Sequence, residues 1–456
     1  MSAESHTPQA LASSLEVIAD RVPNEVWCLI LNYSSQKEHA AFSLVSRLLR
    51  RLAEPFLYSE FSWVPPPRQE LPPIPDLSGK DILAFTKSRR KKRNRVLGHF
   101  GPPPYLLLRT ILNRPDLAHH VKRATILAVD TSAGLFWNKY ETREGGLSLG
   151  EFTMCVDRIQ EMEDIPYLPW VHALKEGALD VAIGLLVAFL PRLTLIDIRI
   201  RGSCIYRSKI FQAIGDPAKL YRLQPIKNIV VSLDTDNARS PQLQRDYFEQ
   251  MLDNQYDIDL QMSRLFRVPG LQTLSVSCFV PDVVVWDWRS GIPYTENLTA
   301  LSLRYSELSE DHLAQLLEAT PKLETLECDL VYDRSLGEHC DGGKINSALS
   351  LASDTLKHLT LRFQIIYPFD IGNGNDPWNV RQSIGSMKHF TQLKYLAIPI
   401  LVLYNRAFPQ EFDTILPNQL EIIRPDWYPA IPDPREHFAP GWMLLRLYMK
   451  RRGLGR

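Results

Sequence analysis

A net charge is the first thing this sequence lacks. Fifty-two Lys and Arg residues are matched by 52 Asp and Glu residues across 456 positions, so the formal charge is zero. Such a chain exerts no general pull on nucleic acid or on an anionic membrane surface, which argues against both as partners. Glycine is scarce beside proline, 22 against 33, so many of its breaks are rigid. Six cysteines, at 28, 155, 204, 278, 328 and 340, form no CxxC pair. That scatter argues against a zinc or disulfide framework and suits reduced thiols in the cytoplasm, the nucleus or both. Long apolar runs are missing too. Val181 to Leu190, the longest, stops at Pro191, where a bilayer span needs about 20 residues; a buried helix is expected there. Residues 1–25 carry Glu4, Glu16 and Asp20 and no basic-then-apolar leader, so no secretory signal is expected.

Apolar residues at 45% and charged residues at 23% exclude a disordered or fibrous chain. The length predicts two or three domains, or one repeat array. Residues 15–61 form an amphipathic block. Val22, Val26, Leu29, Ile30 and Tyr33 recur at helical spacing behind Pro23, which suits a helix start. Ala40, Ala41, Leu44, Val45, Leu48 and Leu52 give a second stripe, and Pro55-Phe56-Leu57-Tyr58 closes the block. Three short helices bury little surface alone, so this unit needs a partner or a neighbouring domain. Residues 62–104 differ. Three proline clusters flank Lys87-Ser88-Arg89-Arg90-Lys91-Lys92-Arg93-Asn94-Arg95, the composition of an exposed stiff linker or insertion. The basic run suits a nuclear-localisation signal and a solvated linker equally.

From residue 105 to about 440 an apolar triplet, L-x-x-L-x-L in form, returns in series. It stands at Leu193/Ile196/Ile198, Ile226/Ile229/Val231, Leu271/Leu274/Val276 and Leu298/Leu301/Leu303. It continues at Leu323/Leu326/Cys328, Leu356/Leu359/Leu361 and Leu393/Leu396/Ile398, with a weak copy at Leu420 and Ile423 and an early one at Val121/Ala124/Ile126. Ser309 to Ala319 reads as an intervening helix, acidic in its first turn, with Leu313, Leu316 and Leu317 on one face. Strand, helix, strand at 25 to 45 residues predicts a repeat array in which each unit covers its neighbour's apolar face. Eight residues into each triplet stand Arg201, Asp234, Phe279, Ser306, Val331, Gln364 and Leu401. No asparagine ladder can form, so uneven repeats are expected. Residues 441–456 read as a basic tail.

The first block resembles an F-box. The likeness rests on Val22-Pro23-Asn24-Glu25-Val26-Trp27 through Ile30, on Leu44-Val45-Ser46-Arg47, and on Glu54-Pro55-Phe56-Leu57-Tyr58. Val22 stands where the family usually has Leu. The whole is similar to F-box proteins of filamentous fungi with degenerate leucine-rich repeats, in which a stretch like Leu107–Lys122 precedes the repeats. The resemblance implies an α+β repeat fold: a three-helix F-box followed by an irregular leucine-rich-repeat-like α/β solenoid. It also implies a function. An F-box docks a Skp-family adaptor that leads to a cullin complex, and the repeats bind a target protein, making the chain a substrate receptor of an SCF-type ubiquitin ligase. Val22, Pro23, Val26, Ile30, Leu44 and Val45 are the expected adaptor contacts. The alternative is a scaffold without a ligase link, its helical stripe buried against the repeats.

Signs of catalysis are thin. Gly146-Leu147-Ser148-Leu149-Gly150 has the form of a nucleophile elbow, but the charged stretch before it cannot be the buried strand an elbow needs. Ser148 followed by Glu151 instead predicts a capping box. His119-His120 and His339-Cys340-Asp341 lack zinc-site spacing, and no cofactor fingerprint is present. The reading is non-enzymatic. Trp286, Trp288, Trp378, Trp427, Tyr428 and Trp442 suit either protein-binding anchors at a rim or a cap on the end of the array.

Overall fold

The computed structural model describes residues 22–63, 104–128, 147–162, 165–175, 179–200, 213–214, 226–233, 265–266, 268–277, 295–306, 308–333, 340–366, 380–403, 412–426 and 439–453. The basic run 87–95, Arg201, Asp234, Phe279, His339, Trp286, Trp288, Trp378, Trp427 and Tyr428 lie outside these residues, as does the side chain of Trp442. Two compact units divide the chain, one within residues 1–201 and 216–224, the other within 202–215 and 225–456.

The first unit opens with three helices, α1 (Asn24–Asn32), α2 (Gln36–Val45) and α3 (Arg47–Leu57), and then β1 (Glu60–Trp63). After these come α4 (Pro104–Asn113), α5 (Pro115–Ala118), β2 (Arg123–Ala128), α6 (Leu149–Glu161), α7 (Tyr167–Lys175), α8 (Leu179–Phe189) and β3 (Leu195–Ile200). β1, β2 and β3 pair in parallel, so Phe61, Ala124 and Ile196 stand side by side, as do Trp63, Ile126 and Ile198. All six are buried. α8 carries the long apolar run, buried from Val181 to Ala188. Ser148 caps α6 as its sequence predicts: its hydroxyl accepts from the Glu151 amide, and the Glu151 carboxylate accepts from the Ser148 amide at 2.6 Å. A Cβ on Gly150 would meet nothing within 4 Å, so nothing there resembles the crowded turn of a nucleophile elbow.

The second unit holds β4 (Asn228–Leu233), β5 (Thr273–Ser277), β6 (Ala300–Ser306), α9 (Glu310–Glu318), β7 (Thr325–Asp333), β8 (Cys340–Asp341) and α10 (Gly342–Ser350). β9 (His358–Ile366), β10 (Val380–Gln382), β11 (Tyr395–Pro399), α11 (Ile400–Leu403), α12 (Phe412–Ile415), β12 (Ile422–Asp426) and α13 (Ala439–Arg452) complete it. Strands 4, 5, 6, 7, 9, 11 and 12 lie in that order, all parallel, while β8 pairs only with β10. Neighbours in space are neighbours in sequence, the mark of stacked repeats. Leu274, Leu301, Leu326, Leu359, Leu396 and Ile423 face one another across the sheet and are buried. The triplets are therefore the core. Pro425 lies in β12, the last strand of this sheet, where a missing donor is tolerated.

The repeats lack an asparagine ladder and use their own backbone instead. The two residues after each triplet's first position donate their amides to one carbonyl of the preceding repeat. Gln272 and Thr273 donate to Lys227, Thr299 and Ala300 to Gln272, and Glu324 and Thr325 to Thr299. The chain continues from Lys357 and His358 to Glu324, from Lys394 and Tyr395 to Lys357, and from Glu421 and Ile422 to Lys394, all at 2.8–3.1 Å. Loops of any length fit between these anchors, since only the strand entrance is fixed. In the first unit Lys122 and Arg123 donate likewise to the Ser59 carbonyl. Tyr58/Phe61/Trp63 is thus an unrecognised first triplet, and it begins where the helical block ends.

The three expected helices are present, the stripe from Ala40 to Leu52 dividing at Ser46, which is fully extended and whose hydroxyl accepts from the Leu49 amide to start α3. Ser62 and Trp63 belong to β1 rather than to a linker, their strand being paired with β2. Within the basic C-terminal segment, residues 441–452 are helical. Leu445 and Tyr448 are buried, Tyr448 beside Phe412, and the Arg452 guanidinium donates to the Asn418 carbonyl. Among the described residues no helix is long and apolar enough to cross a membrane.

Candidate functional site

The three N-terminal helices are locked together by a small set of contacts. α1 starts at Pro23, whose carbonyl accepts from Val26 and Trp27 and whose missing N–H costs nothing at a helix entrance. Leu31 turns inward and is fully buried, as are Leu49 and Ala53 of α3. Buried His39 of α2 lies with Nε2 at 2.7 Å from the Leu31 carbonyl. A carbonyl only accepts, so Nε2 carries the proton there. Trp27 meets Phe42 edge-on at 5.9 Å and His39 tilts against Phe56 at 5.5 Å. α2 starts with a second capping box, the Ser35 amide donating to Glu38 at 2.6 Å, which holds the Glu38 carboxyl below its ordinary range.

With Trp27 and Leu31 engaged inside, the apolar stripe of α1 is left outside. Val26 is 43% exposed, Leu29 59% and Ile30 39%, while Leu44 at the end of α2 is 80% exposed. Pro23 is exposed, and Val22 and Val45 are half-buried. Four of the six residues expected to contact an adaptor therefore face solvent, and two are partly covered. Two further exposed side chains, Leu29 and the almost bare Tyr33, extend the same stripe at i+3 and i+7 from Val26. Their periodicity was readable; which stripe faced in was not, because α1 is apolar on both sides. Leaving this much apolar surface in water is costly.

The far side of the helices is tied to the first strands. Gln36 Nε2 donates to the carbonyls of Leu57 and Glu60 at 3.2 and 3.1 Å, closing the end of α3 against the start of β1. Arg114 bridges Asp116 and Glu54, joining α5 to α3. Both carboxylates raise the Arg114 pKa, Asp116 most strongly.

The polar face of the repeat sheet in the second unit holds a cluster of charges. Glu327 of β7 accepts from Ser302 at 2.9 Å, Arg304 at 2.9 Å and Arg362 at 2.7 Å. Arg362 also reaches the buried Asp329 at 3.3 Å. Burial would raise the Glu327 carboxyl, but the hydrogen bonds from Arg304, Arg362 and Ser302 outweigh it and hold it below its ordinary value. Among the described residues no group of His, Cys, Asp and Glu has the arrangement of a metal site.

Comparison with known families agrees with this geometry. A leucine-rich repeat domain model matches residues 92–426. The chain belongs to the leucine-rich repeat family. Its register-matched buried triplets are the repeats' structural signature, and the open parallel sheet with intervening helices is their architecture. An F-box domain model matches residues 20–56, the segment of α1, α2 and nearly all of α3. The leucine-rich repeat match starts beyond β1, so the first strand falls between the two matched segments. No curated protein sequence matches the chain.

Proposed function

We propose that the chain is the substrate-recognition subunit of an SCF-type cullin-RING ubiquitin ligase. The F-box docks a Skp-family adaptor through Val22, Pro23, Val26, Ile30, Leu44 and Val45, extended by Leu29 and Tyr33, and the repeats hold the target protein. The observation that carries this reading is the exposed apolar stripe. A repeat scaffold without a ligase link would have every reason to cover those side chains, and within their own unit they remain open to solvent. F-box and leucine-rich repeat domains are typical of receptors that do no chemistry. In such a complex the chain contributes proximity, raising the local concentration of target lysines near the ubiquitin donor. The contacts of Gln36 with the start of β1 and of Arg114 with Glu54 hold the F-box helices in place within their own unit.

Co-purification of the full chain with a Skp-family adaptor tests this. Wild type should retain the adaptor and Val26→Asp/Leu44→Asp should lose it, with the circular dichroism spectrum unchanged because both side chains are exposed. An adaptor ignored by the wild type would overturn the ligase reading and leave a scaffold with an F-box-like cap.

A further inference from the structure

The polar face of the repeat sheet is not uniform. Strands β4 to β6 present Asn228, Val230, Thr273, Ser275, Ala300 and Ser302, which are small and uncharged. From β7 to β12 the same rows carry charge and aromatic rings. Here Tyr395 stands opposite His358 on one side and Ile422 on the other, and Arg424 follows one pleat beyond Ile422. The Arg424 guanidinium carbon lies 5.8 Å from the Tyr395 ring centroid, and the His358 ring lies 6.0 Å from it on the other side. Ile422 is 49% exposed.

Charge pairing singles out Arg424. Three guanidiniums and two carboxylates occupy this face, and Arg304 and Arg362 are engaged with Glu327 and Asp329. Lys357 and Lys394 at the strand entrances pair with Glu324 and Glu421. Arg424 alone among these meets no carboxylate within the described residues. A guanidinium resting on an aromatic face is oriented by the ring, and its in-plane donors stay available for a carboxylate. Beside it, Ile422 and the Tyr395 ring offer an apolar seat. Arg and Tyr at the centre of a patch are the residue types that dominate protein interfaces.

We propose that the target is recognised through an acidic–apolar segment, a carboxylate side chain beside an aliphatic or aromatic one. The carboxylate pairs with Arg424 while its apolar neighbour packs on Tyr395 and Ile422. This rests on the receptor reading and specifies the chemistry of its target. Strands β4 and β5 and the first two rows of β6 supply surface without selecting charge, and Arg304, further along β6, is already paired with Glu327.

Selection from a random 12-residue peptide phage library, using the full chain as bait, tests the assignment. Wild type should enrich Asp or Glu next to an apolar residue several-fold over the unselected library. Arg424→Glu should lose that preference and enrich Lys or Arg in its place. Tyr395→Ala should keep the acidic preference and lose the apolar one. Selected peptides without acidic preference, the same sequences from wild type and Arg424→Glu, or no enrichment at all would each overturn the proposal. Adaptor binding by the same preparations separates the two readings. If Arg424→Glu keeps the adaptor but changes its peptides, both stand; if peptides are selected while the wild type ignores the adaptor, only the ligase reading falls.

Discussion

Glu327 is held by three donors on the polar sheet face, and its lowered pKa makes a prediction about acid stability. A carboxyl whose folded pKa lies below its unfolded value contributes stability above the unfolded value and loses it as pH falls through the folded one. Unfolding free energy should therefore decline below about pH 4.3, the ordinary carboxyl value. Glu327→Gln, which cannot titrate, should flatten that decline in urea titrations across pH 3–7. An identical acid limb in wild type and variant would show that the cluster adds nothing. Thiols give the second test at this scale. Burial pushes Cys155 and Cys340 up to about 12, and Cys328 is buried as well. A thiolate is the reactive species, so iodoacetamide at pH 7.5 should spare all three in the native chain and reach half-buried Cys28 before any of them. Mass-spectrometric labelling of Cys155 or Cys340 at the rate of Cys28 would contradict that burial.

Between elements, the tightest fit is the start of α10. A Cβ on Gly342 would come within 2.5 Å of the Gln382 carbonyl oxygen and 2.6 Å of the Ile384 amide nitrogen, both backbone. Gly342→Ala must push β10 away from β8, at a cost of about 1–3 kcal/mol by the usual scale of overpacking. Thermal unfolding should drop by several degrees, and the amides of Cys340 and Asp341 should exchange faster; an unchanged melting temperature would mean the strand yields freely. This pair of strands was invisible in the sequence, because two or three residues carry no periodicity. The long sheet was legible for the opposite reason. Each triplet puts two side chains on one face of a strand and a third at its entrance, and burial requires that spacing whatever the loop length. α9 was equally plain, its serine cap and leucine face leaving one solution. Where two solutions exist the sequence was silent. Ser46 can continue a helix or break it, and Pro55 lies inside α3 close enough to its end that the lost hydrogen bond is tolerated. On α1, the apolar stripe was readable but its direction was not, since Leu31 and Trp27 compete with it for the interior.

At the scale of the whole molecule the junction between F-box and repeats matters most. Tyr58 closes α3 with its amide on the Glu54 carbonyl and also stands at the first position of the Tyr58/Phe61/Trp63 triplet, next to the Ser59 carbonyl that receives Lys122 and Arg123. One turn of chain therefore ends the F-box helices and starts the sheet, with no spacer between them. Opening the F-box should strain this ladder step, so a ligand that holds the helices closed should also protect it. At an adaptor concentration 100 times its dissociation constant the added stability is about 2.7 kcal/mol, or roughly 100-fold slower exchange for amides freed by the same opening. Hydrogen exchange with and without a Skp-family adaptor should show slowing across α1–α3 and at Lys122 and Arg123 together. Amides of β7 and β9, in the other compact unit, should stay unchanged. Slowing confined to the helices would mean that the F-box opens independently of the first strand. Joint slowing would mean that the adaptor-bound helices and the first repeat step move as one body.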